Sequence, residues 1–336
     1  LKKENNLFDE ICSVNNLVYA DSVASKGKLN QYGVKLHNLT KEDNILKLHK
    51  LLLNGEFNTS KYKTFKIYEP KERVIFSLPY YPDRIVHHAV MNVLKPIFVK
   101  SFTADTYSCI EGRGIHKALR NLKKALSDSE NTKYCLKLDI TKFYPSVNHD
   151  ILKRLLRKKF KDSRLLILLD NIIDSAEGIP IGNYLSQYFA NFYLSYFDHW
   201  IKECCKVKCY FRYADDIVIL HSDKKYLHSL LKEIESYLNN NLLLKVKSNW
   251  QIFPVNARGI DFLGYKSYHT HTLLRKSIKK RLAKKAAKGI SKKSLASYYG
   301  WLKHCDSKNL VKKLIICTPS RISESNRKAS LLLVKK

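Results

Sequence analysis

The stretch YFRYADDIVIL, Tyr210–Leu220, sets two neighbouring aspartates inside an otherwise apolar segment. The chain around it is strongly basic, with 61 Lys and Arg against 30 Asp and Glu in 336 residues, a formal charge of +31. Scarce acids placed side by side ask for a reason. A strand-turn-strand reading puts Ala214 to Asp216 at the bend, where the alternation breaks and Asp215 can aim at a neighbouring strand. YCLKLDITKFY supplies such a strand, with Leu136, Leu138 and Ile140 facing one way and Lys137 and Asp139 the other. Three carboxylates sharing a low-dielectric patch would repel, so their persistence as charges needs a cation between them. Mg²⁺ suits oxygen ligands and binds through one or two carboxylates plus substrate phosphates. Two such ions, about 4 Å apart, would activate a 3′-hydroxyl and stabilise a leaving pyrophosphate. The alternative is that Asp215 and Asp216 cap an exposed turn, as Asp often does.

Outward from these segments the chain reads as α+β, helices against an antiparallel sheet. Residues 1 to about 60 are expected to be mostly helical, with Thr40 as an N-cap, Asp43 at the third helical position and Gly55 after the last turn. KTFKIYEPKERVIFSLPY alternates around a Glu69-Pro70 turn and predicts a hairpin. A helix follows from Asp83 to about Lys95, and the spacing of Ile115, Ala118, Leu119, Leu122 and Leu126 predicts another. SVNHDILKRLLRKKF and SQYFANFYLSYFDHWIKE read as helices, the second apolar on most sides. Strands are expected at 207–221 and 251–268, with a helix from about 224 to 240 between them.

The basic excess argues for a polyanionic partner, nucleic acid first, ahead of an anionic membrane surface. The 21 Tyr and 14 Phe could add stacking faces, although most belong to the core. RKSIKKRLAKKAAKGISKK puts ten basic residues and no acid into 275–293, while Ile278, Leu282 and Ala286 recur at helical spacing. That is a helix suited to a phosphate backbone, with a calmodulin-like or membrane-surface helix as the alternative. No signal-peptide or membrane-length apolar run is visible, so a cytoplasmic protein with no membrane contact is the expectation. Cys204, Cys205 and Cys209 lack a second pair at zinc spacing and read as ordinary small residues. The chain opens on Leu1 instead of Met, so its start is expected to be trimmed.

YADD in an apolar hairpin, preceded by LKLDITKFYPSV, resembles the palm of a reverse transcriptase, and the likeness runs from about Phe65 to beyond Leu302. Five further segments agree in order: PKERVIFSLPYYPDRIVHHAV, TYSCIEGRGIHKAL, GIPIGNYLSQYFANFYL, LLLKVKSNW and GIDFLGY. The resemblance implies a right-hand polymerase with a 1–60 helical extension, interwoven fingers and palm at 61–270, a helical basic thumb at 271–316 and a basic tail at 317–336. It makes Asp139, Asp215 and Asp216 the catalytic, metal-binding triad for two Mg²⁺, with Mn²⁺ as a substitute. Tyr144 takes the place of a ring that blocks a ribose 2′-hydroxyl, with a core role as the alternative. Arg73 would grip the incoming dNTP, its guanidinium presenting paired donors to phosphate. Arg84 and Arg113 would steady template backbone or local turns. Lys247, or Lys245, is the loop lysine near the pyrophosphate. Tyr213 and the FLGY turn, Phe262, Leu263, Gly264 and Tyr265, would support the primer terminus, and Arg275, Lys276 and Lys280 begin the thumb against the template RNA/cDNA duplex.

Most reverse transcriptases carry Gln-Gly and Ser-Pro in the strand-helix segment; this chain has Ile181-Gly182 and Ser186-Gln187. That combination is similar to the diversity-generating retroelement enzymes. The resemblance implies error-prone cDNA, mutagenised at adenines, that replaces a variable region of a target gene. It also implies a small helical, oligomeric, RNA-binding accessory protein. Ile181 offers the nascent pair only contact where glutamine could hydrogen-bond, which relaxes discrimination; the alternative is that it fills a tighter pocket. Group II intron-like, retron or antiphage reverse transcriptases share the chemistry, and a non-catalytic RNA-binding scaffold is the reading from a different class. With no nuclease or maturase motif after SYYGWLKHCDSKNLVKKL, a minimal chain is the expectation.

Overall fold

The computed structural model describes residues 3–68 and 72–316. The turn expected at Glu69-Pro70 and the tail from 317 onward lie outside the described residues. Packing divides the chain into two units. One holds the residues up to Ile110 with Asp139–Val207 and Lys232–Ser248; the other holds Glu111–Leu138, Lys208–Leu231 and the chain from Asn249 on.

In the first unit, the N-terminal periodicity becomes helices Phe8–Cys12, Val14–Ser25, Tyr32–Leu39 and Lys41–Leu53. Thr40 precedes the last of these, but its hydroxyl accepts from the Asn44 side chain at 3.1 Å and caps no backbone N–H. The reason is local: Thr40 also closes the preceding helix, its N–H donating to the His37 carbonyl, and its φ of −135° and ψ of 41° are not the extended geometry of a cap. The helix expected from Asp83 runs Ile85–Ser101, straight through Pro96. Pro96 removes a backbone donor. Beyond it, however, Phe98 is fully buried against the rings of Phe160, Phe189 and Phe192. Burying such a ring contributes about 2 kcal/mol, which offsets much of the roughly 3 kcal/mol that a proline inside a helix costs. This helix lies against Val14–Ser25 and against Tyr184–His199, which is buried on most sides as its sequence predicts. Strands β1 (Lys63–Ile67) and β2 (Arg73–Ser77) form the expected antiparallel hairpin, Phe65 opposite Ile75.

The main sheet comprises β3 (Tyr134–Asp139), β4 (Cys209–Tyr213), β5 (Asp216–His221) and β6 (Gln251–Pro254), in the order β4-β5-β3-β6. Ile217 to Leu220 of β5 are all buried, which is why an inner strand of this sheet reads as an unbroken apolar run. In β3, Leu136 and Leu138 are buried while Lys137 and Asp139 are half-buried, as alternation predicts. A second, antiparallel sheet joins β7 (Ile260–Phe262), β8 (Tyr265–Ser267) and β9 (Thr272–Leu274). Three residues are too few to show alternation, so β9 gave no sequence signal. The basic helix runs Lys276–Ala287 and buries Ile278, Leu282 and Ala286; the same apolar cluster holds Tyr265, Leu274 and Leu302. No helix among the described residues is long and apolar enough to cross a membrane.

Candidate active site

The β4–β5 hairpin pairs Arg212 with Ile217 and Tyr213 with Asp216, leaving Ala214-Asp215 as a two-residue turn. Ala214 sits at φ +55°, a left-handed position that costs a non-glycine residue about 1 kcal/mol or more. Arg212 helps to hold it: its side chain is fully buried and donates to the Ala214 carbonyl at 3.1 Å. Arg212 escaped the sequence reading. Its signal was there: an arginine between Phe211 and Tyr213, on the buried face of an apolar strand.

β3 ends on Asp139, and its neighbour in the sheet, β5, begins on Asp216. Two lysines face these carboxylates. Lys137 Nζ lies 3.7 Å from Asp216 Oδ1 and also donates to the Asp261 carbonyl. Lys247 Nζ lies 3.7 Å from Asp139 Oδ2, and its backbone N–H donates to the Asp139 carbonyl at 2.8 Å. That backbone bond continues a short ladder, in which Ile140 bridges Val246 and Thr141 donates to the Lys245 carbonyl. Lys247 and not Lys245 therefore pairs with the aspartate. The side chains of Asp139 and Asp216 are 32% and 30% exposed, so both stay open to water and ions. Among the described residues, no three His, Cys, Asp or Glu side chains are gathered into a ready metal cluster. In donor chemistry the aspartates nonetheless fit a hard divalent cation, being oxygen-only and partly open.

A second constellation forms in the first unit. The carbonyl of Tyr144, in the turn Tyr144–Ser146, accepts from the Ile179 N–H at 2.8 Å. Two residues on, the Ile181 carbonyl accepts from the Phe76 N–H of β2 at 2.8 Å. Gly182 has a φ of +127°, and a Cβ there would lie 2.4 Å from the Phe76 carbonyl oxygen. The segment Ile179–Gly182 is thus tied at one end to the turn bearing Tyr144 and at the other to the β1–β2 hairpin. Ile181 and Tyr144 are half-buried, and Gln187 is exposed on the first turn of Tyr184–His199. Arg73 opens β2 and is exposed. Arg84 donates to the Leu78 carbonyl at 3.3 Å and to Ser77 Oγ at 3.4 Å, so it steadies a local turn. It also lines a cavity of about 710 Å³ with Tyr32, Lys61 and Lys63, which contains none of the aspartates. Arg113 is half-buried just before the helix Ile115–Leu126.

In the second unit, the FLGY turn pairs Phe262 with Tyr265 across Leu263 and Gly264. Phe262 and Tyr265 are buried and hold the hairpin from below; Tyr265 donates to the Trp301 carbonyl at 3.1 Å, and burial pushes its phenol far up. Leu263 alone of the four is half-exposed. A Cβ on Gly264, at φ +86°, would meet Trp301 at 2.4 Å, so only glycine lets that indole close over the turn. Arg275 caps the sequence end of this motif, donating to Asp261 Oδ1 at 2.5 Å and, through its N–H, to the Gly264 carbonyl. Lys276 and Lys280 are exposed on the helix that follows.

This is the fold of the right-hand polymerases. Apo telomerase from Candida tropicalis superposes with a TM-score of 0.52 at 15% identity, over 82% of this chain and 57% of that one. The chain belongs to the reverse transcriptase (RNA-dependent DNA polymerase) family, which it matches over residues 62–267, more than half its length. It is 24% identical to protein YkfC of Escherichia coli K12 over 67% of this chain and 70% of that protein. It is 26% identical to the mitochondrial nuclear intron maturase 4 of Arabidopsis thaliana over 44% of this chain. The chain spans only 20% of that maturase and little more than half of the telomerase, 57%.

Proposed function

We propose that this chain is an RNA-directed DNA polymerase of the diversity-generating retroelement type, copying a template RNA into error-rich cDNA. One observation carries the polymerase reading: β3, ending on Asp139, lies beside β5, which begins on Asp216 directly after Asp215 in the turn. Asp139, Asp215 and Asp216 would hold two Mg²⁺, or Mn²⁺, completed by the phosphates of the incoming dNTP. Bound there, the ions supply a more acidic primer 3′-hydroxyl and charge neutralisation on the leaving pyrophosphate.

The chain's own residues do the rest in this reading. Arg73 takes the triphosphate, Lys247 stands near the pyrophosphate, and Tyr144 excludes the 2′-hydroxyl at a turn whose backbone is tied to the Ile181-Gly182 segment. Tyr213 and the FLGY turn support the primer terminus, Arg84 and Arg113 the template side. Arg275, Lys276 and Lys280 lie along the RNA/cDNA duplex, read through its backbone and 2′-hydroxyls. Fingers and palm would span 61–270 and the thumb 271–316, and the accessory RNA-binding protein would complete the assembly.

The retroelement assignment rests on Ile181-Gly182 and Ser186-Gln187, an apolar contact where a polar check would sit. A second reading, an intron-type reverse transcriptase, is favoured by the similarity to an intron maturase. One experiment addresses both: primer extension on an RNA template with Mg²⁺ and dNTPs, with sequenced products. Extension by the wild type and none by Asp215→Asn is expected, with errors concentrated opposite adenine and reduced in Ile181→Gln. Equal extension by wild type and Asp215→Asn would overturn the metal assignment. An active enzyme with no adenine bias would move the chain to the intron type.

A further inference from the structure

Lys137 lies in the LKLD stretch but has no role in the polymerase reading, yet it occupies a charged position at the carboxylates. It lies on the polar face of β3, two residues before Asp139 and on the same side of the strand. Its ammonium is 3.7 Å from Asp216 Oδ1 and donates to the backbone carbonyl of Asp261 in β7. Asp261 is in turn fixed by Arg275, which holds its carboxylate at 2.5 Å and the Gly264 carbonyl at 2.9 Å. One end of this chain of contacts is the start of β5; the other is the start of the basic helix. Side-chain exposure is 25% for Lys137 and 30% for Asp216, so the pair is only partly screened by water.

We infer that Lys137 is a built-in counter-ion of Asp216 that sets how tightly the carboxylates take a divalent cation. The inference rests on the polymerase reading of those carboxylates. An ammonium beside a carboxylate lowers the negative potential a cation feels, and it repels that cation directly. The Asp261 carbonyl keeps the ammonium in place after a metal has taken Asp216, so the repulsion persists in the loaded site. Lys137 thereby makes metal binding weak enough to depend on the triphosphate the metal accompanies. It is a positioning residue, acting through Asp216 and not on the substrate.

The test is direct Mn²⁺ binding, read as free-ion paramagnetic resonance on the full chain without nucleotide. It uses wild type, Lys137→Met, Lys137→Gln, Lys137→Arg and Asp215→Asn. Removing the charge is expected to tighten binding about tenfold in both neutral variants, with Lys137→Arg staying near wild type. Structural damage would weaken binding, so tightening distinguishes electrostatics from a loosened strand. If wild type binds, Asp215→Asn does not, and both neutral variants bind like wild type or more weakly, this inference falls while the polymerase reading stands. If Asp215→Asn binds as wild type does, the metal assignment falls and takes the inference with it.

Discussion

Gly182 is where backbone sterics and the proposed nucleotide site meet, and its substitution by alanine gives a calculable outcome. The φ of +127° is outside what an L side chain adopts readily, and the added Cβ would stand 2.4 Å from the Phe76 carbonyl oxygen. That oxygen is backbone, so it cannot swing aside. Relieving the contact parts β2 from the Ile181 segment and lengthens the 2.8 Å bond from the Phe76 N–H to the Ile181 carbonyl. Strain of about 1–3 kcal/mol and a lost backbone hydrogen bond worth about 1 kcal/mol together predict a loss of about 2–4 kcal/mol. Urea unfolding followed by far-UV dichroism reads it, with Gly300→Ala as control. Gly300 lies in the helix Lys292–Leu302 with nothing within 4 Å of a built Cβ, so alanine there should be neutral or stabilising by up to about 1 kcal/mol. A Gly182→Ala protein as stable as Gly300→Ala would refute the close approach. In the proposed function, Gly182→Ala also raises the KM for dNTP, because the segment carrying Ile181 shifts with it.

Further outcomes follow from buried groups. Arg212→Met should cost about 1–3 kcal/mol by removing the buried guanidinium's bond to the Ala214 carbonyl; because Ala214 is strained, extension activity should fall further than stability, and equal losses would mean the turn does not depend on Arg212. His87 is buried, and desolvation, with His88 and Arg84 nearby, holds its pKa down at about 3. The folded imidazole stays neutral while the unfolded one takes a proton near pH 6.5, so its contribution is full above pH 6.5 and is lost progressively as pH falls toward 3. By pH 4.5 that loss should be about 2–3 kcal/mol. His87→Leu should be less sensitive between pH 7.5 and 4.5 by that amount, measured as urea midpoints, and an unchanged pH slope would show that His87 does not stay neutral.

Much of the fold was legible because hydrophobic period is a local property. The stripe Ile278, Leu282, Ala286 predicted the basic helix and its buried face, and Leu136 and Leu138 against Lys137 and Asp139 predicted both faces of β3. Where a distant partner decided, local reading stopped short. The helix through Pro96 continues because Phe98 meets Phe160, Phe189 and Phe192, and no spacing near residue 96 announces rings up to 96 positions away.

The same division holds at the candidate site. The amino-acid order alone determined that three aspartates stand on strand ends and turns of an otherwise basic chain, because alternation and turn chemistry depend on immediate neighbours. Tertiary structure decided which charges answer them: Lys137 for Asp216 and Lys247 for Asp139, with Arg212 holding the turn between. Lys137 is 79 positions from Asp216 in the chain, and Coulomb attraction falls with distance in space and not with separation in sequence. The pairing therefore had to wait for the sheet order.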